Sequence, residues 1–258
     1  MRLELFRDLH GVVGAGARHH SLAAAMPELV ASGYTGAVAS VDVAESIPDF
    51  RSQLGERGLD YIASVTTVGD TVAAHVDSLQ RALADAEFHR PRLVIAQSGT
   101  AEWSGLEAGR FFEAATGIEE DLPFLVAHQT LTDRALFRPE VADAMVQRFP
   151  DLRLAADFGH WVWACGGLLD DRLDVVRRCA AHVVHVHAGV GSEHNPRVSD
   201  PRAPEWSTHL AAHELWWSRV WDEQERTGVA VTTMTPDAES WEAAGWLGER
   251  QRARFAER

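Results

Sequence analysis

The sequence contains no lysine; all 24 of its basic residues are arginine. This absence excludes Schiff-base aldolases, pyridoxal-phosphate enzymes with an internal aldimine and P-loop NTPases, each of which needs a lysine amine. Cysteine is scarce. Cys165 and Cys179 match no metal or redox spacing, which excludes a disulfide scaffold and leads us to expect a reduced, cytoplasmic protein. Positive charge is also short, since the arginines face 38 acidic side chains and the formal charge is -14. Nucleic acid and anionic membrane surfaces both need clustered cations, so neither is an expected partner. No uncharged apolar run of about 18 residues occurs, and Arg2, Glu4, Arg7 and Asp8 fall where a signal peptide would be apolar. The expectation is a chain neither exported nor membrane-spanning, with a small molecule as its partner.

What is present is 258 residues with 46% hydrophobic content, ample for a core. An α/β barrel uses about 250 residues as one domain. Strand and helix periodicities alternate throughout. Strands are predicted at Leu3 to Phe6, Gly36 to Val41, Tyr61 to Thr66, Arg92 to Ala96, Pro123 to His128, Leu152 to Ala156, His182 to His187 and Val229 to Met234. Helices are predicted at Leu22 to Ser32, Phe50 to Arg57, Thr71 to Glu87, Leu106 to Ala115, Glu140 to Phe149, Asp171 to Ala181, His209 to Thr227 and from about Ser240. Several stop at a glycine or proline, as helices do. No linker or low-complexity stretch divides the eight units. We therefore expect an α/β protein, one (β/α)8 TIM barrel over residues 1–258; a doubly wound sheet alternates too but uses fewer strands at this length.

Chemistry in such a barrel sits at the C-terminal ends of the strands. Those positions hold His10, Val38, Thr66 with Thr67, Gln97, Gln129, Asp157 with His160, His185 with His187, and Asp237. Two carboxylates and several imidazoles from strands five to eight suit a divalent metal with nitrogen and oxygen ligands. Asp157 ends an apolar strand and His160 is expected on the turn beyond it. His185 and His187 alternate along one strand face, so each can be a ligand or a hydrogen-bonded core histidine. Plainer readings exist for the carboxylates as well: Asp157 or Asp237 can simply cap a helix. Trp161, Trp163, Trp216, Trp217 and Trp221 are expected to serve core and interface packing and not as stacking platforms for a base or sugar. His19, His20, His75, His89, His209 and His213 stand away from strand ends and receive no role.

Three stretches go further: Asp157-Phe158-Gly159-His160-Trp161, His185-Val186-His187-Ala188 and Asp200-Pro201-Arg202-Ala203-Pro204-Glu205-Trp206. Through them the chain resembles the sugar phosphate isomerase/epimerase group of the xylose isomerase-like TIM-barrel superfamily. Gly33-Tyr34-Thr35-Gly36, Ser98-Gly99 with Trp103-Ser104, and Thr232 to Asp237 extend the likeness over nearly the whole chain. The resemblance implies a divalent metal (Mn, Co, Zn or Mg) at Gln129, Asp157, His187 and Asp237. Only Asp157 and His187 keep the family's residue type; a Glu is usual where Gln129 and Asp237 stand. Val38 replaces a Glu, Gln97 a His, Ala101 an Asp, Leu131 a His and Gly189 an Arg. Such a set carries one negative charge fewer, so it should hold an ion more loosely or have lost it.

The implied activity is an isomerase, epimerase or related lyase acting on a sugar-like or hydroxy-carbonyl small molecule by proton transfer α to the carbonyl. In it Asp237, His160 and His185 are the candidate catalytic groups, and Gln97, Arg134 and Arg202 the candidate substrate contacts. Gln129 cannot take a proton, which disfavours two-base epimerisation. His160 would titrate near the ordinary histidine value of about 6.5. Two alternatives stay open: a metal-independent enzyme of a specialised biosynthetic pathway, and a non-catalytic binding protein or partner subunit. Endonuclease chemistry fits poorly, because the charge is wrong and Val38, Gln97 and Leu131 cannot ligate its extra zinc ions. A homo-oligomer is compatible with all of this.

Overall fold

The alternation closes on itself. The computed structural model describes residues 1–14 and 16–258. Its strands are β1 (Arg2–Asp8), β2 (Gly36–Ser40), β3 (Asp60–Thr66), β4 (Leu93–Gln97), β5 (Leu125–Gln129), β6 (Leu154–Ala156), β7 (Val183–Gly189) and β8 (Val231–Asp237). Its helices are α1 (Leu22–Ala31), α2 (Val41–Ser46), α3 (Phe50–Gly55), α4 (Val72–Phe88), α5 (Gly105–Glu119), α6 (Pro139–Arg148), α7 (Phe158–Cys165), α8 (Leu173–Ala180), α9 (Ser207–Arg226) and α10 (Trp241–Ala256). The strands pair in chain order, all parallel, and β8 returns to β1. The chain is a (β/α)8 TIM barrel. Among the described residues no helix is long and apolar enough to cross a membrane.

Local chemistry sets the helix starts. Ser21, Thr71, Ser104 and Ser240 each accept a hydrogen bond from the backbone N–H three residues on, and Ser104 with Glu107 forms a reciprocal capping box. Strand alternation then divides the core in two. Phe6, Val38, Ile62, Leu93, Ile95, Ala127 and Ala155 form one buried cluster made of strand residues, the barrel interior. Leu5, Ala37, Tyr61, Ala63, Val94 and Ala96 pack outward on the helices, with Trp161, Trp216, Trp217 and Trp221 fully buried among them. Trp163 is 43% exposed.

The inward row has a consequence at Gly36, which pairs with Phe6. A Cβ there would overlap the Phe6 ring and crowd the Asp60 carbonyl at 2.5 Å. Gly36→Ala is therefore expected to lower stability by about 1–3 kcal/mol through overpacking. An unchanged urea midpoint would show that the barrel floor has slack.

Two helices depart from the expectation. α2 was not predicted, and α7 stands where a turn was predicted. The α7 sequence, Phe-Gly-His-Trp-Val-Trp-Ala-Cys, is apolar on nearly every side and so shows no helical period. Three strands also run two or more residues further than predicted, β1 to Asp8, β7 to Gly189 and β8 through Pro236 to Asp237.

Candidate active site

The period of two carries the interior row upward to the mouth of the barrel. Above Ile95 comes Gln97, above Ala127 Gln129, above Ala155 Asp157, above His185 His187, and above Thr235 Asp237. β6 is only three residues long, and its register against β7 shifts between Leu154 and Ala155, an irregularity that helps set the height of Asp157 against the two histidines. Gln97, Gln129, Asp157, His160, His187 and Asp237 all line one cavity of about 520 Å³. That is ample for a small metabolite.

Asp157 is 5% exposed and serves two functions at once. It is the N-cap of α7, its Oδ1 accepting the His160 backbone N–H at 3.4 Å. It also faces the cavity, where burial, and after it the negative charge of Asp237, push its carboxyl well above the usual carboxylate range. Thr130 fixes its backbone: the Asp157 N–H donates to Thr130 Oγ1 at 2.7 Å, and that hydroxyl donates to the Asp157 carbonyl at 3.2 Å.

His160, on the first turn of α7, presents Nδ1 to Thr132. The Thr132 backbone N–H donates to it at 3.3 Å and the hydroxyl lies at 3.1 Å. A backbone N–H can only donate, so Nδ1 is the acceptor and the neutral ring carries its proton on Nε2. Nε2 lies 3.9 Å from Asp157 Oδ2, too long for a hydrogen bond, which leaves its N–H for another acceptor. Burial pulls the His160 pKa down to about 4, away from the ordinary value expected from sequence. His187 is likewise lowered to about 4 by burial, and its Nε2 is buried without a partner.

Three expected site residues are engaged elsewhere. His185 lies one layer below His187, fully buried, its Nδ1 paired with Thr233 Oγ1 at 2.9 Å and its Nε2 with Thr235 Oγ1 at 3.1 Å. Both ring nitrogens are occupied, which is the hydrogen-bonded core arrangement of its two readings. Arg134 donates to the carbonyls of Thr67 at 3.2 Å and Gly99 at 3.3 Å, holding two loops together. Arg202 clasps Asp200 on the surface, with Nη2 at 2.7 Å from Oδ2, and does not line the cavity.

Three residues the sequence reading passed over also line the cavity, and a fourth supports one of its loops. Asp8 shares the inward row of Phe6, and burial raises its carboxyl above the usual range. Extending the β1 alternation two residues would have found it. Arg7 lies over the Trp241 ring at 4.5 Å with Nε buried and unpartnered. Arg197 lines the cavity and is ion-paired with Asp237. His213 Nε2 accepts the Gly191 N–H at 3.1 Å, which pins the loop that carries Arg197.

The donor set argues against a divalent ion as the residues stand. Gln129 Oε1, the atom that would ligate, is 3.4 Å from Gln97 Nε2 and accepts its N–H, while Thr66 holds Gln97 Oε1 from the other side at 3.1 Å. Asp237 is held by a guanidinium. Among the described residues no three His, Cys, Asp or Glu side chains gather so as to hold a metal ion.

A second polar chain resembles catalytic machinery without access. Ser98 Oγ lies 2.6 Å from His128 Nδ1, and His128 Nε2 lies 2.9 Å from Glu119 Oε1. Ser98 and His128 are buried, Phe111 and Phe112 pack edge-on against the imidazole, and none of the three groups lines the mouth cavity. It ties β4, β5 and α5 together.

No family model and no curated protein matches the chain. Solved structures do match over nearly the full length. Endonuclease IV from Thermus thermophilus is 16% identical with a TM-score of 0.63, covering 99% of this chain and 100% of that one. D-allulose 3-epimerase from Methylomonas sp. is 11% identical with a TM-score of 0.62, covering 98% of each. A sugar phosphate isomerase/epimerase from Parabacteroides distasonis is 9% identical with a TM-score of 0.61, covering 100% and 99%. The chain shares the fold of these proteins.

Proposed function

We propose that the chain is an enzyme that moves a proton α to the carbonyl of a sugar-like or hydroxy-carbonyl small molecule, as an isomerase, epimerase or related lyase. The observation that supports this reading best is the pairing of Asp157 with His160 in one cavity. A carboxyl with a raised pKa stands beside a neutral imidazole whose Nε2–H has no protein acceptor within hydrogen-bonding distance. A carboxylate of raised basicity takes the α-proton, and the Nε2–H donates to the carbonyl oxygen as charge builds there. His187 Nε2 offers the substrate a second polar contact, and Arg7 suits an acidic or phosphorylated end. Asp237, paired with Arg197, acts as a counter-charge and not as the base. Because Gln129 cannot carry a proton, the reaction uses one base.

The fold neighbours include an epimerase and an isomerase/epimerase, which agrees with this class of chemistry. The altered donor set gives no reason to route a step through a metal.

Incubating the protein in D₂O with sugars, sugar phosphates and hydroxy acids or ketones, followed by NMR, reports α-proton exchange whatever the net product. The expected result is deuterium at one carbon of one compound class. His160→Ala should lower that exchange by about 100-fold or more while keeping the fold, since an acid or hydrogen-bond donor contributes factors of this size. A compound that binds in the cavity without exchanging would sink the reading.

A further inference from the structure

We propose that Arg197 has replaced a divalent ion as the cation of this site. The inference concerns the cavity described above but assumes only its geometry, not the reaction assigned to it. Arg197 lies on the loop between β7 and α9, and its backbone is held in place by a built turn. Ser192 N–H donates to the Asn195 carbonyl at 2.8 Å, and Ser192 Oγ accepts from Asn195 N–H at 3.2 Å. The Asn195 side chain accepts the Arg197 N–H at 3.1 Å, and Val198 N–H returns to the Val190 carbonyl at 2.7 Å.

The loop is seated against α7 through two glycines. A Cβ on Gly159 would overlap the Pro196 carbonyl, and one on Gly191 would overlap the Gly159 backbone. This close approach brings Pro196, and with it Arg197, over the helix that carries His160. From there the guanidinium pairs with Asp237 and shares the cavity with Asp157, His160 and His187. Its charge favours the ionised form of Asp157 and the neutral forms of both histidines, as a bound cation would.

The rest of the donor set agrees with a site adapted to a fixed monovalent cation. Position 129 is an amide whose oxygen is already engaged, so the charge that a divalent ion would need is reduced where the guanidinium supplies one positive charge. A guanidinium also offers directional N–H donors to a developing oxyanion without needing a vacant coordination position. An ion entering beside it would meet like charge and find Asp237 occupied.

Mn²⁺ binding tests this directly, by the loss of the free-ion electron paramagnetic resonance signal, in the parent, Arg197→Ala, Arg197→Gln and Arg197→Ala with Gln129→Glu. The parent should bind Mn²⁺ no tighter than the millimolar range, and EDTA should leave its melting temperature unchanged. Removing the guanidinium should tighten Mn²⁺ roughly 100-fold by lifting repulsion and freeing Asp237. Gln129→Glu should tighten it further, and Asp237→Ala in the Arg197→Ala background should cancel the gain. Tight Mn²⁺ binding by the parent overturns the proposal without any variant. Folded Arg197 variants that bind Mn²⁺ no better than the parent overturn it equally. The readout needs no turnover, so either result leaves the proton-transfer reading to be judged by its own D₂O experiment.

Discussion

Asp157→Asn should fold as well as the parent and lose about 10³-fold of its α-proton exchange. The substitution separates the two functions that meet at this position. Asn caps a helix about as well as Asp, so the bond to the His160 N–H and the start of α7 survive. An amide cannot carry a proton, and a well-placed general base contributes roughly 10²–10⁴ to rate. Melting should move little or rise, because the change removes a buried charge that stands near a second carboxylate. Deuterium incorporation within tenfold of the parent would show that Asp157 is a cap and nothing more, and would return the base to Asp237. Asp157→Ala is the less informative change, since it removes cap and carboxyl together.

The second large effect is on acid stability. Burial lowers the pKa values of His160, His187 and His213 from 6.5 to about 4, and moves His185 in the same direction. In the unfolded chain these rings take up protons as pH falls through 6.5; in the folded chain His160, His187 and His213 do not until about 4. Each therefore contributes stability that is fully present above pH 6.5 and lost progressively between 6.5 and about 4. A fall of this size corresponds to about 3 kcal/mol per ring by pH 4. Asp8 and Asp157, whose pKa values are raised, work the other way and gain as pH falls, but they are two against four. Against a total stability of about 5–15 kcal/mol for an ordinary domain, a histidine contribution of this size is large. The melting temperature should drop steeply between pH 7 and pH 4.5, above the range where ordinary carboxylates titrate, and His213→Gln should make the drop shallower. Equal melting at pH 7 and pH 4.5 would contradict the neutral, buried assignment of these rings.

How far the site could be read from sequence depended on whether a residue's place follows from its own strand. Gln97, Gln129, Asp157, His187 and Asp237 each sit two residues above an interior side chain, so periodicity and strand ends were enough to locate them. His185 shares the parity of His187, and the sequence could not say which of the two was engaged. The answer lies in Thr233 and Thr235, on the neighbouring strand. Arg202 was placed by a motif on the surface side of the loop, where Asp200 takes its charge. Arg197, five residues earlier, was missed because nothing in Ser192 to Val198 has a period. Its position follows from a backbone contact between Gly159 and the loop, made possible by the lack of side chains at two glycines 32 positions apart in sequence. α7 escaped for a simpler reason: a short helix that is apolar almost all round carries no amphipathic signal.

One feature of the mouth links proton traffic to mechanics. The carboxyl that accepts the His160 N–H in the first turn of α7 is the same group proposed to exchange protons with substrate. An ionised carboxylate attracts the positive end of a helix more strongly than its protonated form. Each arrival of a proton therefore slackens the first turn of α7, and each departure tightens it. His160 rides on that turn, tethered to Thr132, and the Arg197 loop rests against it through Gly159. Through α7 both groups therefore sit against the one residue whose charge the proposed reaction changes.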